Sequence, residues 1–149
     1  MNTIDNEKIY SEPLMDMGAK IAPVISVGRL VLIEDDDCIN RAVSLYLRAK
    51  GHTVESFSGA AAAKNWISAN QCDLLITDIL MPDSDGLEVI RWCRTNQPSI
   101  KIIAISGTDP WGHSHLRVAG LLGASRLVQK PFDLASLANV VGEVLLLPA

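Results

Sequence analysis

The sequence predicts an α/β fold in which a parallel β-sheet carries helices on both faces. Two observations indicate this fold. Short apolar runs at residues 30–33 and 74–77 are typical of strands that are buried on both sides. Each candidate strand is followed by apolar residues at helical spacing, so that strand and helix alternate five times between residues 29 and 147. Such alternation favours a parallel sheet with helical crossovers.

The first two strand–helix units are predicted before residue 70. Residues 30–33 form the first strand, and the helix after it ends near Gly51, a residue type suited to a helix C-terminus. Residues 53–57 form the second strand, and we expect Ser58 to cap the next helix, which ends near Ala69. Residues 1–28 contain two prolines and two glycines without a sustained period, which predicts a mostly irregular N-terminal extension.

Three further units complete the predicted domain, which spans residues 29–147. Residues 74–77 form a strand that ends at Asp78, and a loop with Pro82 and Gly86 leads to the third helix. The fourth strand covers residues 101–105, and its helix ends near residue 122. Residues 127–129 form a short fifth strand, and Asp133 is placed to cap the last helix. We expect a single domain without an output domain.

Composition and charge narrow the classes of function. The chain has 149 residues, of which 48% are hydrophobic, enough for a core that needs no disulfide or metal. Thirteen basic against 17 acidic residues give a net charge of −4, which disfavours direct nucleic-acid binding. No apolar run is long enough for a membrane span, and the N-terminus lacks the apolar region of a secretion signal, so we expect a cytoplasmic protein. Cys38, Cys72 and Cys93 have neither disulfide nor zinc spacing, which predicts buried, reduced thiols.

Polar residues follow four of the five predicted strands where each strand ends. They are Glu34, Asp35 and Asp36 after the first strand, Asp78 after the third, Ser106 after the fourth and Lys130 after the fifth. The carboxyl ends of parallel strands meet at one edge of a sheet. Crowded carboxylates repel one another unless a cation lies among them, and oxygen ligands favour Mg²⁺ or Mn²⁺. A carboxylate can act as a nucleophile, and a nearby hydroxyl and ammonium group can bind the oxygens of a phosphoryl group. This set of residues therefore predicts phosphoryl transfer onto Asp78.

Five segments of the chain resemble the receiver domain of bacterial two-component response regulators. They are LVLIEDDD at residues 30–37, DLLITDILMP at residues 73–82 with Asp85 and Gly86 after it, ISG at residues 105–107, GA at residues 123–124 and KPF at residues 130–132. The resemblance covers residues 29–147. It implies a flavodoxin-like, doubly wound five-stranded parallel sheet with strand order 2-1-3-4-5 and five helices.

The resemblance also implies a phosphoacceptor and a metal site. By position, Asp78 is the residue that becomes phosphorylated. Glu34 and Asp35 hold Mg²⁺ together with Asp78 and the backbone carbonyl of Leu80. Asp36 is either a ligand through water or the cap of the helix that follows.

Two further residues have implied roles around the phosphoryl group. Ser106 supplies the hydroxyl that moves onto this group, and the ammonium group of Lys130 pairs with its oxygens. The resemblance further implies that the peptide bond between Lys130 and Pro131 is cis. The family carries Tyr or Phe three residues before this lysine, whereas this chain has Leu127. The loop at residues 108–113 is longer than in the family. Its Trp111 covers the site, anchors a partner or packs onto the domain.

The resulting hypothesis is a stand-alone receiver domain that works as a phosphorylation-dependent signalling switch. A histidine kinase or phosphotransfer protein phosphorylates Asp78, and a downstream effector protein responds to the domain as a monomer or as a phosphorylation-dependent dimer. The domain is not a conventional enzyme, because it catalyses only phosphoryl acceptance and its own slow dephosphorylation. Leu80 and Thr108 are at the positions that flank the phosphoryl group in the family. Neither side chain is acidic or carries an amide, so they offer little help in positioning a water molecule, and we expect a long-lived phosphorylated state.

Three alternative functions are an interaction module, a phosphohydrolase and a flavin-binding protein. A phosphate-independent interaction module with a degenerate switch is favoured by Leu127 and opposed by the intact set of carboxylates, hydroxyl and lysine. A phosphohydrolase with an aspartyl-phosphate intermediate needs an acid two residues after Asp78, where this chain has Leu80. A flavin site needs a phosphate-cradling loop after the first strand, where residues 34–37 are four carboxylates.

Overall fold

The computed structural model describes residues 26–107 and 114–149. Its elements, in chain order, are β1 (Arg29–Ile33), α1 (Asp37–Ala49), β2 (Thr53–Phe57), α2 (Ala60–Ala69), β3 (Leu74–Asp78), β4 (Leu80–Met81), β5 (Ser84–Asp85), α3 (Gly86–Asn96), β6 (Lys101–Ser106), α4 (Ser114–Leu121), β7 (Arg126–Gln129) and α5 (Leu134–Leu145).

Five parallel strands form the main sheet in the order β2-β1-β3-β6-β7. With β6 and β7 as the fourth and fifth strands, this is the predicted order 2-1-3-4-5, and five helices cover the sheet. The flavodoxin-like, doubly wound fold is therefore confirmed. β4 and β5 form a separate antiparallel pair, which the sequence analysis placed in a loop.

The two faces of the sheet carry separate apolar clusters. Alternate residues of one strand contribute to opposite clusters, as Val31 and Leu32 of β1 show. One cluster joins the sheet to α1 and α5, and the other joins it to α2, α3 and α4. Because β1 and β3 are covered on both faces, their continuous apolar runs are explained by burial rather than by a membrane or a partner.

Two local predictions were wrong. We expected Ser58 to cap α2, but the cap position is Gly59, which makes no side-chain cap hydrogen bond. We expected all three cysteines to be buried, but Cys38 is exposed, whereas Cys93 is buried and Cys72 is half-buried. Cys38 is the second residue of α1, and the residue after it, Ile39, is the one that packs against the apolar cluster.

Gly86 fixes the short β4–β5 hairpin against the end of β3. A Cβ atom at this position would lie 2.1 Å from the backbone oxygen of Asp78 and 2.6 Å from the Cα of Ile79. No side chain can occupy that space without moving backbone. Glycine is therefore required where the hairpin returns beside Asp78.

The N-terminal extension enters the sheet at the edge opposite to the polar strand ends. Residues 1–25 of the predicted extension lie outside the described residues. The amide of Gly28 donates a hydrogen bond to Nδ1 of His52 at 3.2 Å, and its carbonyl accepts one from the amide of Thr53 at 3.1 Å. Among the described residues, no helix combines the length and apolar character that crossing a membrane requires.

The bond from Gly28 to His52 predicts a pH-dependent stability. Burial lowers the pKa of the His52 imidazole below its ordinary 6.5, and only the neutral ring can accept at Nδ1. Because the folded-state pKa is the lower one, the stabilisation is present above pH 6.5 and is lost as the pH falls through the folded-state pKa. We expect a loss on the order of 1 kcal/mol, the contribution of one hydrogen bond, in urea unfolding between pH 7 and pH 5.

The matched variant is His52→Asn, whose side-chain oxygen can accept the same bond without titrating. Its free energy of unfolding should fall less than that of the wild type over this range. Equal losses in the two proteins would contradict the assignment.

Candidate functional site

The predicted site residues meet at the carboxyl edge of the sheet. Glu34 follows β1, Asp78 ends β3, Ser106 ends β6 and Lys130 follows β7. Glu34 is 2% exposed and Asp78 is 4% exposed, whereas Asp35 is exposed in the short link between β1 and α1. The parallel topology thus brings side chains that are 96 positions apart into contact, because each leaves the sheet at the same edge.

Lys130 is the cation that joins the two buried carboxylates. Its Nζ donates to Oδ2 of Asp78 at 2.6 Å and to Oε2 of Glu34 at 2.8 Å. Burial alone would lower the pKa of the Lys130 ammonium group, but the hydrogen bonds and charges of Asp78 and Glu34 outweigh this effect and raise that pKa. Lys130 therefore stays charged and compensates both carboxylates.

The second oxygen of each buried carboxylate is bound by a backbone amide. Oε1 of Glu34 accepts from the amide of Asp36 at 3.0 Å, and Oδ1 of Asp78 accepts from the amide of Leu80 at 3.0 Å. Burial raises the pKa of the Glu34 carboxyl, and the charge of Asp78 adds to the rise, while the bonds from Lys130 and Asp36 oppose it. Both side chains are held in one orientation.

Three carboxylates have the spacing of a metal site. Glu34, Asp35 and Asp78 each offer one oxygen, and these oxygens lie within 4.8 Å of one another. Two of the three side chains are buried, so that a cation between them would offset a repulsion that water screens poorly. An all-oxygen donor set fits Mg²⁺ or Mn²⁺ better than a softer metal.

Asp36 and Leu80, the other two candidate metal ligands, make contacts outside the carboxylate cluster. Oδ1 of Asp36 accepts from the amide of Ile39 at 3.0 Å, which makes Asp36 the cap of α1. Leu80 lies in β4 opposite Asp85, and the residue is 45% exposed. The metal roles of Asp36 and of the Leu80 carbonyl remain predictions.

The predicted switch residues lie on the β6–β7 side of the site. Ser106 is 1% exposed, and its Oγ donates to the carbonyl of Gly107 at 3.3 Å. The peptide bond from Lys130 to Pro131 is cis, as the resemblance implied. Leu127, at the position where the family carries an aromatic residue, is 43% exposed on β7. Trp111 and Thr108 lie outside the described residues.

One residue of the site was missed by the sequence analysis. Nδ2 of Asn40 donates to the carbonyl of Glu34, a member of the carboxylate cluster, at 2.9 Å. No motif identifies this side chain. The available signal was an amide residue in the first turn of α1, six positions after Glu34.

Comparisons with known proteins agree with this arrangement. The family model of the response regulator receiver domain matches residues 30–142. The DNA-binding transcriptional regulator NtrC of Azospirillum brasilense is 31% identical over 121 residues, which are 81% of this chain and 25% of that protein. The response regulator MprA of Mycobacterium ulcerans is 33% identical over 110 residues, which are 73% of this chain and 46% of that protein. The chain thus spans a quarter to a half of these relatives.

Solved structures show the same fold. A CheY-like response regulator receiver domain protein from Methanospirillum hungatei has a TM-score of 0.74 at 24% identity, over 80% of this chain and 94% of that chain. A putative response regulator from Chloroflexus aurantiacus has a TM-score of 0.72 at 26% identity, over 80% of this chain and 98% of that chain. With its family match, its sheet order and its lysine-bridged carboxylates, the chain belongs to the response regulator receiver domain family.

Proposed function

We propose that this receiver domain accepts a phosphoryl group on Asp78 in a Mg²⁺-dependent reaction and acts as a signalling switch. The observation that carries the proposal is the bridge from Lys130 to Asp78 and Glu34 beside the three-carboxylate cluster. In this arrangement Asp78 is the only member of the cluster that contacts both the lysine and the β4 backbone, within the described residues.

The donor in the proposed reaction is a phosphohistidine of a histidine kinase or phosphotransfer protein. A carboxylate oxygen of Asp78 forms a bond to phosphorus, the phosphorus–nitrogen bond breaks, and its electron pair remains on the imidazole. Glu34, Asp35, Asp78 and the Leu80 carbonyl would hold Mg²⁺, and the bound ion would supply positive charge against the carboxylates and the phosphoryl oxygens. The Nζ of Lys130 lies 2.6 Å from Oδ2 of Asp78, so it is placed to bind an oxygen of a phosphoryl group attached to Asp78.

The proposed switch begins with the charge that phosphorylation adds. A phosphoryl group introduces further negative charge and acceptor oxygens at Asp78. The hydroxyl of Ser106 exchanges its bond to the Gly107 carbonyl for one to a phosphoryl oxygen. The amide of Lys130 donates to the carbonyl of Ser106 at 2.8 Å, so that movement of Ser106 reaches the end of β7 directly. In our proposal, an effector protein or a second copy of the domain in the cytoplasm binds the altered surface.

Phosphoryl acceptance is tested by intact-mass analysis after incubation with acetyl phosphate. We expect the mass of one phosphoryl group to be added when Mg²⁺ is present and not after chelation with EDTA. The Asp78→Asn variant should take up none, because an amide is a poor nucleophile. The matched control is Asp83→Asn, an exposed residue between β4 and β5, which should react like the wild type. No adduct on the wild type, together with no detectable Mg²⁺ binding, would favour the phosphate-independent interaction module.

Removal of the bridging cation should destabilise the metal-free protein. Lys130→Met leaves the carboxylates of Glu34 and Asp78 buried without compensation, and we expect a loss of about 3 kcal/mol in urea unfolding. Added MgCl₂ should restore part of this stability, because a ligand that binds only the folded state stabilises it. The control is Lys64→Met: Lys64 is as exposed as Lys130, but its partner Glu88 is on the surface. A loss no greater than that of the control would contradict the bridge.

The phosphorylated state should be long-lived. The side chain of Leu80 is partly exposed beside the site and has no polar atom that could orient a water molecule. We expect Leu80→Asn to shorten the half-life of the adduct several-fold when donor is removed and mass is followed with time. Leu146→Asn, at the opposite edge of the domain, is the control. A half-life of seconds in the wild-type protein would contradict the prediction.

A further inference from the structure

We propose that Asn40 is a positioning residue for the metal-binding carboxylates, because its carboxamide fixes the peptide that joins Glu34 to Asp35. The inference rests on the proposed function and adds a residue for which the family resemblance implied no role. Asn40 contacts neither reacting atom. It acts on the site through the main chain of Glu34.

The carboxamide of Asn40 closes the ends of two neighbouring strands. Its Nδ2 donates to the carbonyl of Glu34 at 2.9 Å and to the carbonyl of Phe57 at 3.2 Å. The Phe57 carbonyl also accepts from the amide of Glu34 at 3.1 Å. The Asn40 side chain of α1 thereby binds the residue that follows β1 and the last residue of β2. Each of these two carbonyls accepts one of the two hydrogens of its amide group.

The orientation of this carboxamide is set from within α1. Ser44 lies one turn after Asn40, is 3% exposed, and its Oγ donates to Oδ1 of Asn40 at 3.5 Å. With the hydroxyl on its oxygen side, the amide group of Asn40 faces the two carbonyls. The half-buried Asn40 therefore has partners for both its oxygen and its nitrogen.

The Glu34 carbonyl matters because it belongs to the peptide between two cluster residues. A peptide unit is planar, so fixing its carbonyl fixes the direction in which the chain continues to Asp35. The side chain of Glu34 is held separately by Lys130 and by the amide of Asp36. The carboxylate of Asp35 is exposed and accepts no hydrogen bond from a described residue. Its position in the cluster thus depends on the backbone that Asn40 holds.

The test measures Mg²⁺ affinity by isothermal titration calorimetry on the complete chain. We expect Asn40→Ala to weaken Mg²⁺ binding by about 10-fold or more, the size of effect seen when the support of a metal ligand is removed. Asn70→Ala is the matched control, because Nδ2 of Asn70 donates to the carbonyl of Trp66 in α2, away from the carboxylate cluster. The control should bind Mg²⁺ with unchanged affinity.

A second readout separates positioning from general loss of structure. With acetyl phosphate as donor, Asn40→Ala should need a higher Mg²⁺ concentration for half-maximal phosphorylation, yet reach the wild-type extent at saturating Mg²⁺. Ser44→Ala, which leaves both donated bonds of Asn40 in place but frees its oxygen, should weaken Mg²⁺ binding less, by a few-fold. This variant decides the question if Asn40→Ala does not fold.

Three results would overturn the inference. The first is a folded Asn40→Ala protein that binds Mg²⁺ as tightly as the wild type while Asp78 still accepts phosphoryl groups, an outcome that leaves the proposed function intact. The second is an equal loss of Mg²⁺ affinity in Asn70→Ala. The third is a wild-type protein that neither binds Mg²⁺ nor accepts a phosphoryl group, which would overturn the proposed function as well.

Discussion

Two buried carboxylates that must share one cation are the constraint on which this site depends. Glu34 and Asp78 are almost inaccessible to water, so their charges are screened mainly by the protein around them. The ammonium group of Lys130 lies within 2.8 Å of both and two backbone amides bind their remaining oxygens. The same crowding that makes the lysine necessary creates the place where a divalent cation fits. The lysine bridge and the candidate metal site are therefore two consequences of one charge distribution.

The parallel sheet makes this arrangement possible by bringing distant parts of the chain to one edge. Glu34 enters from β1, Asp78 from β3, Ser106 from β6 and Lys130 from β7. Because apolar clusters cover both faces of the sheet, the strand ends can carry charged groups without weakening the core itself. Gly86 is needed for the same edge of the sheet, since only a residue without a Cβ lets the β4–β5 hairpin approach the backbone of Asp78.

The sequence was informative wherever a pattern has one physical explanation. Continuous apolar runs predicted β1 and β3, and polar residues after four strands predicted which side chains would meet, because parallel topology leaves them no other common edge. Features that depend on the spacing of single atoms were not predictable. The β4–β5 hairpin contains two residues per strand, too few for an alternation of polar and apolar residues to appear. Asn40 was missed for a similar reason: its role rests on two carbonyls that no sequence motif marks.

Lys130 also links the charge of the site to the strand at the edge of the sheet. Its Nζ contacts the two carboxylates, while its amide contacts the carbonyl of Ser106, so that one residue joins Asp78 to the end of β7. Three positions earlier, Leu127 is partly exposed, and its Cδ1 lies 3.6 Å from the point where a Cβ of Gly120 would be. β7 therefore contacts α4 through a leucine, which has no polar group to form a hydrogen bond. In the proposed switch, phosphorylation of Asp78 would change the apolar packing between β7 and α4. A partner that distinguishes the two states would therefore have to recognise the shape of this apolar surface.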